Sequence, residues 1–263
     1  MLDRITALIL TWNEEANIRR LLESLVWAPR VVVLDSGSTD ATREIVAQFP
    51  NAVFVVRSFD VLAHQWNFGL SETGIATEWV LALDADYGLP REFIEELRRL
   101  DPAPEVAGYR AAFTSCIDGT PLLGGLYPPV TVLYRRAGAH YRQDGHAQRI
   151  EVNGRVADFA TRLLHDDRKP LDRWFSSQIS YMRLEAEKLG STPMSGLGVP
   201  DKIRKLVLLA PILVLFHCLF VRGSILDGGK GLMYAMQRAV AEAILSIFLA
   251  EAAMRERGPD EGK

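Results

Sequence analysis

The chain has 263 residues, 48% hydrophobic and 24% charged, which supports one large α/β domain with a smaller appendage and excludes wholesale disorder. A formal charge of −3 lacks the basic surplus of a nucleic-acid binder. The two cysteines, Cys116 and Cys218, show neither metal-ligand spacing nor a disulfide framework, which points to a reducing compartment.

Residues 5–10 are almost continuously apolar, and the run stops at Thr11-Trp12-Asn13-Glu14. It is too short for a signal peptide and reads as a first strand covered on both faces. Asn13-Glu14-Glu15 opens a helical pattern with Ile18, Leu21, Leu22 and Leu25 on one face, its acidic start suited to the positive end of a helix dipole. A second strand over 30–35 ends at Asp35. Residues 36–40 then turn into a helix over 42–49, with Ser38 or Thr39 as the expected N-cap. Residues 52–56 form a third strand, 63–72 a helix, and 79–83 a fourth strand running into Asp84-Ala85-Asp86. Such alternation predicts a mostly parallel sheet with right-handed crossovers, where ligands lie beyond the carboxyl ends of the strands. Asn13, Asp35 and Asp84 each follow a strand end, so three strands aim polar groups at one edge.

From about Gly108 the pattern changes. Strands are expected over 109–113 and 130–134 around a Gly/Pro-rich loop at 119–129, and Asn153-Gly154 predicts a hairpin over 150–156. Residues 170–189 read as an amphipathic helix carrying Trp174, Ile179, Met182 and Leu189, and 190–200 as a linker. Residues 206–221 are apolar apart from Pro211 and His217, bracketed by Lys202, Arg204, Lys205 and Arg222. As a helix this run measures about 24 Å at ~1.5 Å per residue, short of the ~30 Å hydrocarbon core. With the glycine-rich stretch 223–231 and a helix over 233–249 it forms an apolar hairpin within 200–255. Its basic flanks suit lipid headgroups, so it is expected to lie in or enter a membrane surface. A buried helical pair, or a homo-oligomer through these helices, would cover the same surface.

Asp84-Ala85-Asp86 places two carboxylates two positions apart at a strand end, where they can share a divalent cation with oxygen ligands. Mg2+ or Mn2+ held there with substrate phosphates would neutralise a diphosphate leaving group. Three segments, 11–15, 33–42 and 79–86, resemble in order and spacing the motifs of glycosyltransferase family 2 over roughly residues 4–100. The resemblance implies a GT-A fold, with 1–107 as the nucleotide-sugar-binding half and 108–189 as the acceptor-side half. It implies that Thr11, Asn13 and Glu14 line the nucleotide pocket and that Asp35 bonds the base. It places Asp84 near the ribose and metal, and makes Asp86 the metal ligand. A carboxylate at position 35 is chemically apt, since it accepts a ring N–H of a uracil-like base. The tail is similar to that of the lipopolysaccharide core glucosyltransferase-like branch, although Tyr87 stands where many of its members carry glutamate.

Inverting displacement at an anomeric carbon needs a carboxylate to take the acceptor's proton. Asp144, His146 and Asp166 (or its neighbour Asp167 in the string His165-Asp166-Asp167-Arg168-Lys169) are the candidates, with Asp144 preferred. Arg168, Lys169 and Arg173-Trp174 form a basic-aromatic cluster able to meet a diphosphate or anionic lipid. Pro170 stands where the Q-x-x-R-W motif of processive relatives needs glutamine. Cys116, Cys218 and His217 read as packing residues. The expected activity is transfer from a nucleotide sugar, a UDP-sugar by preference, to a lipid-linked or lipopolysaccharide-type glycan at the cytoplasmic face of the inner membrane. A polyprenyl-phosphate acceptor, and a non-catalytic sugar-nucleotide-binding scaffold, are the alternatives.

Overall fold

The computed structural model describes residues 1–145 and 147–256. The chain divides into two compact units. The first comprises Met1–Pro121, Tyr127–Gln143 and Ala147–Lys169. The second comprises Leu122–Leu126, Asp144 with Gly145, and the chain from Pro170 onward, so the helix after Pro170 groups with the C-terminal elements.

In the first unit β1 (Ile5–Thr11), α1 (Ile18–Ser24), β2 (Val31–Asp35), α2 (Thr42–Val46), β3 (Ala52–Val56), α3 (Leu62–Glu72) and β4 (Trp79–Asp84) alternate as expected. There follow β5 (Tyr87–Gly88), α4 (Arg91–Arg99), β6 (Val106–Ala111), β7 (Phe113–Ile117), β8 (Thr120–Pro121) and β9 (Val130–Arg135). The unit closes with β10 (His140–Asp144), β11 (Ala147–Glu151), β12 (Arg155–Asp158) and β13 (Leu163–His165). Seven strands form one sheet in the order β12-β6-β9-β4-β1-β2-β3. β3, β2, β1 and β4 run parallel, whereas β9 is antiparallel to β4 and β6. This is the mixed, helix-flanked sheet of a GT-A-like fold. The period-two alternation of the central strands explains its two cores. Ile5, Ala7, Ile9, Val31, Val33, Leu81 and Leu83 face one way with Leu21, Leu22 and Phe93. Leu8, Val32, Leu34, Val80 and Ala82 face the other with Ala63, Trp66 and Leu70.

Several local expectations are corrected by tertiary contacts. The first helix starts at Ile18, not near Asn13, because Asn13 takes a positive φ of 54° and the next amides bond sideways. Glu14 N–H donates to Thr42 Oγ1 at 2.8 Å and Glu15 N–H to Asp40 Oδ2 at 3.1 Å, leaving the helical ladder to begin later. Neither Ser38 nor Thr39 caps α2; the Thr42 N–H bonds Asp40 Oδ1 at 3.0 Å instead. The Asn153-Gly154 turn makes no hairpin: β11 pairs with β10, while β12 runs parallel to β6. Gly154, at φ 146°, lets the chain change sheets there, since a Cβ would sit 2.8 Å from Glu105 O.

The second unit holds α5 (Leu171–Ser191), α6 (Val199–Arg204), α7 (Ala210–Phe216) and α8 (Gly228–Glu256). Met182, Ala186 and Leu189 of α5 pack on Leu245, with Ile244, Phe248 and Leu249 beside them. Arg204 reaches Glu242 Oε1 at 2.9 Å and Glu185 Oε1 at 3.2 Å, tying α6 to both long helices. Residues 206–221 do not form one helix. Val207 takes φ 49°, its carbonyl accepts from Ser246 Oγ at 2.6 Å, and α7 runs on into a π-helical turn at His217–Val221. A 3-10 turn at Ser224–Asp227 leads into α8.

Candidate active site

Parallel register brings the polar tips together. Thr11 lies opposite Asp35, and Leu10 lies opposite both Leu34 and Asp84, so three adjacent strands end within one residue of the same level. The physical cause is the buried apolar set of β1, β2 and β4: a one-residue slip would turn each strand's core side chains to the wrong face.

Asp35 is 1% exposed. Its Oδ1 accepts from the amides of Gly37 at 2.8 Å and Ser38 at 2.7 Å, and its Oδ2 from the hydroxyls of Thr11 at 2.9 Å and of Ser38. The carboxylate therefore shapes the turn after β2. Asn13 joins that turn to the loop after β1: its N–H donates to Ser38 Oγ at 2.7 Å, and its Oδ1 accepts from Thr39 N–H at 2.7 Å.

The Asp-Ala-Asp segment faces the chain that follows β13. His165 pairs across from Tyr87 of β5, and the Asp166 N–H donates to Asp86 O at 3.0 Å. That short ladder sets His165 Nε2 3.4 Å from Asp86 Oδ2. Burial pushes the Asp84 carboxyl up to about 6, and the neighbouring Asp86 charge adds to the rise. Burial also works to raise Asp86, but His165 and Lys169 outweigh it and hold that carboxyl below its usual value. His165 is the mirror case: burial pulls it down, Asp86 pulls harder the other way, and the imidazolium is favoured. The His165 ring lies against Tyr127, centroids 4.2 Å apart.

Glu14 completes the cluster. Its Oε1 meets Lys169 Nζ at 2.7 Å and its Oε2 accepts from Asn17 Nδ2 at 2.9 Å. Burial raises Glu14 to about 7, with Lys169 opposing the rise and Asp86 adding to it. Burial lowers Lys169, but Glu14 and Asp167 raise it further, so the ammonium stays charged. Asn17 is fully buried and joins the two segments, donating to Asp167 Oδ1 at 2.9 Å and accepting from Arg168 N–H at 3.0 Å.

The three candidates for a base are placed differently. Asp166 is 5% exposed, with Oδ1 accepting from Gly119 N–H at 3.0 Å and Oδ2 from Arg168 Nε at 2.8 Å. Arg20 donates to its carbonyl at 2.7 Å. This carboxylate is a clamp held by two arginines and an amide. Asp144 ends β10, belongs to the second unit, and pairs there with Lys188 Nζ at 2.7 Å. His146 lies outside the described residues. Arg173 and Trp174 fall on α5 and belong to the second unit, whereas Arg168 and Lys169 belong to the first.

A divalent cation fits one observation closely. Asp86 Oδ1 is buried and has no hydrogen-bond partner, a costly state for a carboxylate oxygen. Among the described residues no three His, Cys, Asp or Glu side chains form a ready-made cage. An ion of the magnesium type needs none, since it is held by one or two carboxylates plus substrate phosphates. Asp86 and Asp84 are the carboxylates available, with the His165 imidazolium paired to Asp86 beside them. Sequence reading overlooked His165 and Asn17. The string His165-Asp166-Asp167-Arg168-Lys169 was visible as polar, but only the β13–β5 pairing turns its first member toward Asp86.

The model of the family described as "Glycosyl transferase family 2" matches residues 6–151. The chain is 29% identical over 253 residues to the "Lipopolysaccharide core biosynthesis glycosyltransferase LpsC" of Rhizobium meliloti (strain 1021), covering 90% of this chain and 88% of that one. It is 31% identical over 168 residues to an uncharacterized glycosyltransferase of Rickettsia bellii (strain RML369-C), covering 61% of this chain and 56% of that one. Among solved structures it is similar to S. aureus TarS 1-349 in complex with UDP, at 15% identity and a TM-score of 0.49 over 98% of this chain and 93% of that chain.

Proposed function

The chain belongs to glycosyl transferase family 2, and from that premise we propose that it moves a sugar from a UDP-sugar to a hydroxyl of a lipopolysaccharide-type or lipid-linked glycan, at the cytoplasmic face of the inner membrane. One observation carries the donor half of this reading. Two carboxylates, one with an orphaned buried oxygen, stand at the edge where Thr11 and Asp35 end their strands. Asp86 and Asp84 would hold Mg2+ or Mn2+, which when bound offsets the charge of the diphosphate. Thr11, Asn13 and Glu14 line the nucleotide side. A ring N–H of the base would share Asp35 Oδ2 with two hydroxyls that are free to rotate toward other acceptors. The acceptor half is supported by the name of LpsC, a lipopolysaccharide core biosynthesis glycosyltransferase.

The reaction is a displacement with inversion. The acceptor oxygen forms a bond to the anomeric carbon, the bond from that carbon to the diphosphate oxygen breaks, and nucleoside diphosphate leaves. The hydroxyl proton passes to a base, for which Asp144 is the first candidate and His146 the second. Asp166, with both oxygens held, serves as a positioning residue.

Thermal melting of the full chain with a panel of nucleotide sugars, with and without Mn2+, tests the reading, because a ligand of the folded state raises the midpoint with the logarithm of its concentration over its dissociation constant. Protection by a UDP-sugar that needs Mn2+, lost in Asp86→Asn, is expected. Absence of protection by every sugar nucleotide overturns the proposal. Full turnover in each of Asp144→Asn, His146→Gln and Asp166→Asn would instead favour a polyprenyl-phosphate acceptor, which needs no base.

A further inference from the structure

The second unit presents an apolar surface with a definite shape. Leu208 is 82% exposed, Leu226 76% and Val221 73%, and Ile212, Phe216 and Phe220 are each more than half exposed. All lie on the bent segment formed by residues 206–209, α7, its π-helical turn and the 3-10 turn. Leu232, Met233 and Met236 extend the exposed set onto the first turns of α8. Single exposed leucines need no explanation, but a continuous run of this size marks an interaction surface.

Charge identifies the partner. Lys202, Lys205, Arg222, Lys230 and Arg238 flank the exposed set, whereas Arg204 is neutralised by Glu185, Asp201 and Glu242, and the one acidic side chain within residues 206–236 is Asp227. The Asp227 carboxylate is turned onto the amides of Leu123 at 3.0 Å and Gly124 at 3.3 Å. An apolar face bordered by cations, with its single carboxylate engaged by backbone amides, matches an anionic lipid surface, where each cation near the headgroups adds attraction.

Packing fixes how far the segment enters. Ser224–Arg255 is long and apolar enough to cross a bilayer by length and composition. Its second half, however, packs through Ile244, Leu245 and Phe248 on α5, and its Glu242 is bonded to Arg204 at 2.9 Å. A span would carry α5, with Arg183, Glu185, Glu187 and Lys188, into hydrocarbon, where each such charge costs several kcal/mol. We propose that residues 206–226, together with Leu232, Met233 and Met236, enter one leaflet of an anionic membrane in its plane, and that the rest of α8 stays outside. This deepens the membrane-side part of the proposed function and does not depend on the donor or the acceptor.

The test uses the full chain and vesicles either of phosphatidylcholine alone or with about one-third phosphatidylglycerol. Co-flotation with the anionic vesicles, weakened by salt, is expected. The double variant Leu208→Ser/Leu226→Ser changes two exposed side chains and should keep its melting midpoint while binding about tenfold or more weakly. Brominated lipid should quench a tryptophan placed by Leu226→Trp and not one placed by Ile247→Trp. Equal quenching at both positions, unchanged binding of the double variant, or a stable dimer that ignores vesicles would each overturn the proposal. Failure of the transferase reading looks different: vesicle binding persists while no nucleotide sugar protects the protein.

Discussion

Replacing Asn17 by alanine should destabilise the first unit strongly. The side chain is fully buried and its amide serves four partners: Glu14 Oε2 and Asp167 Oδ1 as acceptors, each at 2.9 Å, and Arg168 N–H and Arg20 Nη2 as donors, at 3.0 and 3.4 Å. Alanine leaves the Arg168 amide without this acceptor and takes one donor from each of two carboxylates. Hydrogen bonds to charged groups contribute about 1.5–3 kcal/mol each, and the carboxylates keep Lys169, so a net loss of roughly 3–5 kcal/mol is expected. At ~2–4 °C per kcal/mol for a chain of this size, the melting midpoint falls by roughly 10 °C. Differential scanning fluorimetry or calorimetry measures it. Asn17→Asp supplies a sign test. It is isosteric, yet it turns an oxygen toward Glu14 and Asp167, so it should destabilise more than alanine does, and less so at acidic pH where the new carboxyl is protonated and can donate. A drop below about 3 °C for alanine, or an aspartate variant more stable than it, would refute the assignment of Asn17 as the tie between the two segments.

Glu14 makes the stability of the metal-free protein depend on pH. Its carboxyl is raised from 4.5 to about 7, so its contribution is fully present below 4.5 and is lost as pH rises through about 7. Glu14→Gln should therefore show a flatter fall in melting midpoint across that window than the wild type; an unchanged slope counts against the raised value. Gly145 stands at φ 62°, and a Cβ there would lie 2.7 Å from Glu185 Oε2, so Gly145→Ala should lower stability by about 1–2 kcal/mol in denaturant titrations, the strain outweighing the gain from reduced chain entropy. Lys188→Met removes the 2.7 Å partner of Asp144. If Asp144 is the base, the variant should shift the acidic limb of the turnover-pH profile to higher pH while leaving Mn2+-dependent donor protection intact.

The sequence by itself determined the strand–helix alternation of the first half and its polar edge. Near-continuous apolar runs in residues 5–10, 31–35 and 79–83 are a local property, and the pairing of those strands aligns Thr11, Asp35 and Asp84. The family motifs were legible for the same reason. Tertiary structure alone decided the rest. Asn17 meets Asp167 across 150 positions, and His165 faces Asp86 only because β13 pairs with β5. The Asp166 carboxylate is bound by Arg168 and the Gly119 amide and its carbonyl by Arg20, partners that periodicity cannot bring to it. Composition reports only the apolarity of the C-terminal run, which suits a single helix, whereas the break at Val207 depends on which carbonyl Ser246 captures. Hydrophobic pattern is written along the chain and survives any folding path; a hydrogen bond between distant side chains exists only after the backbone has placed both partners.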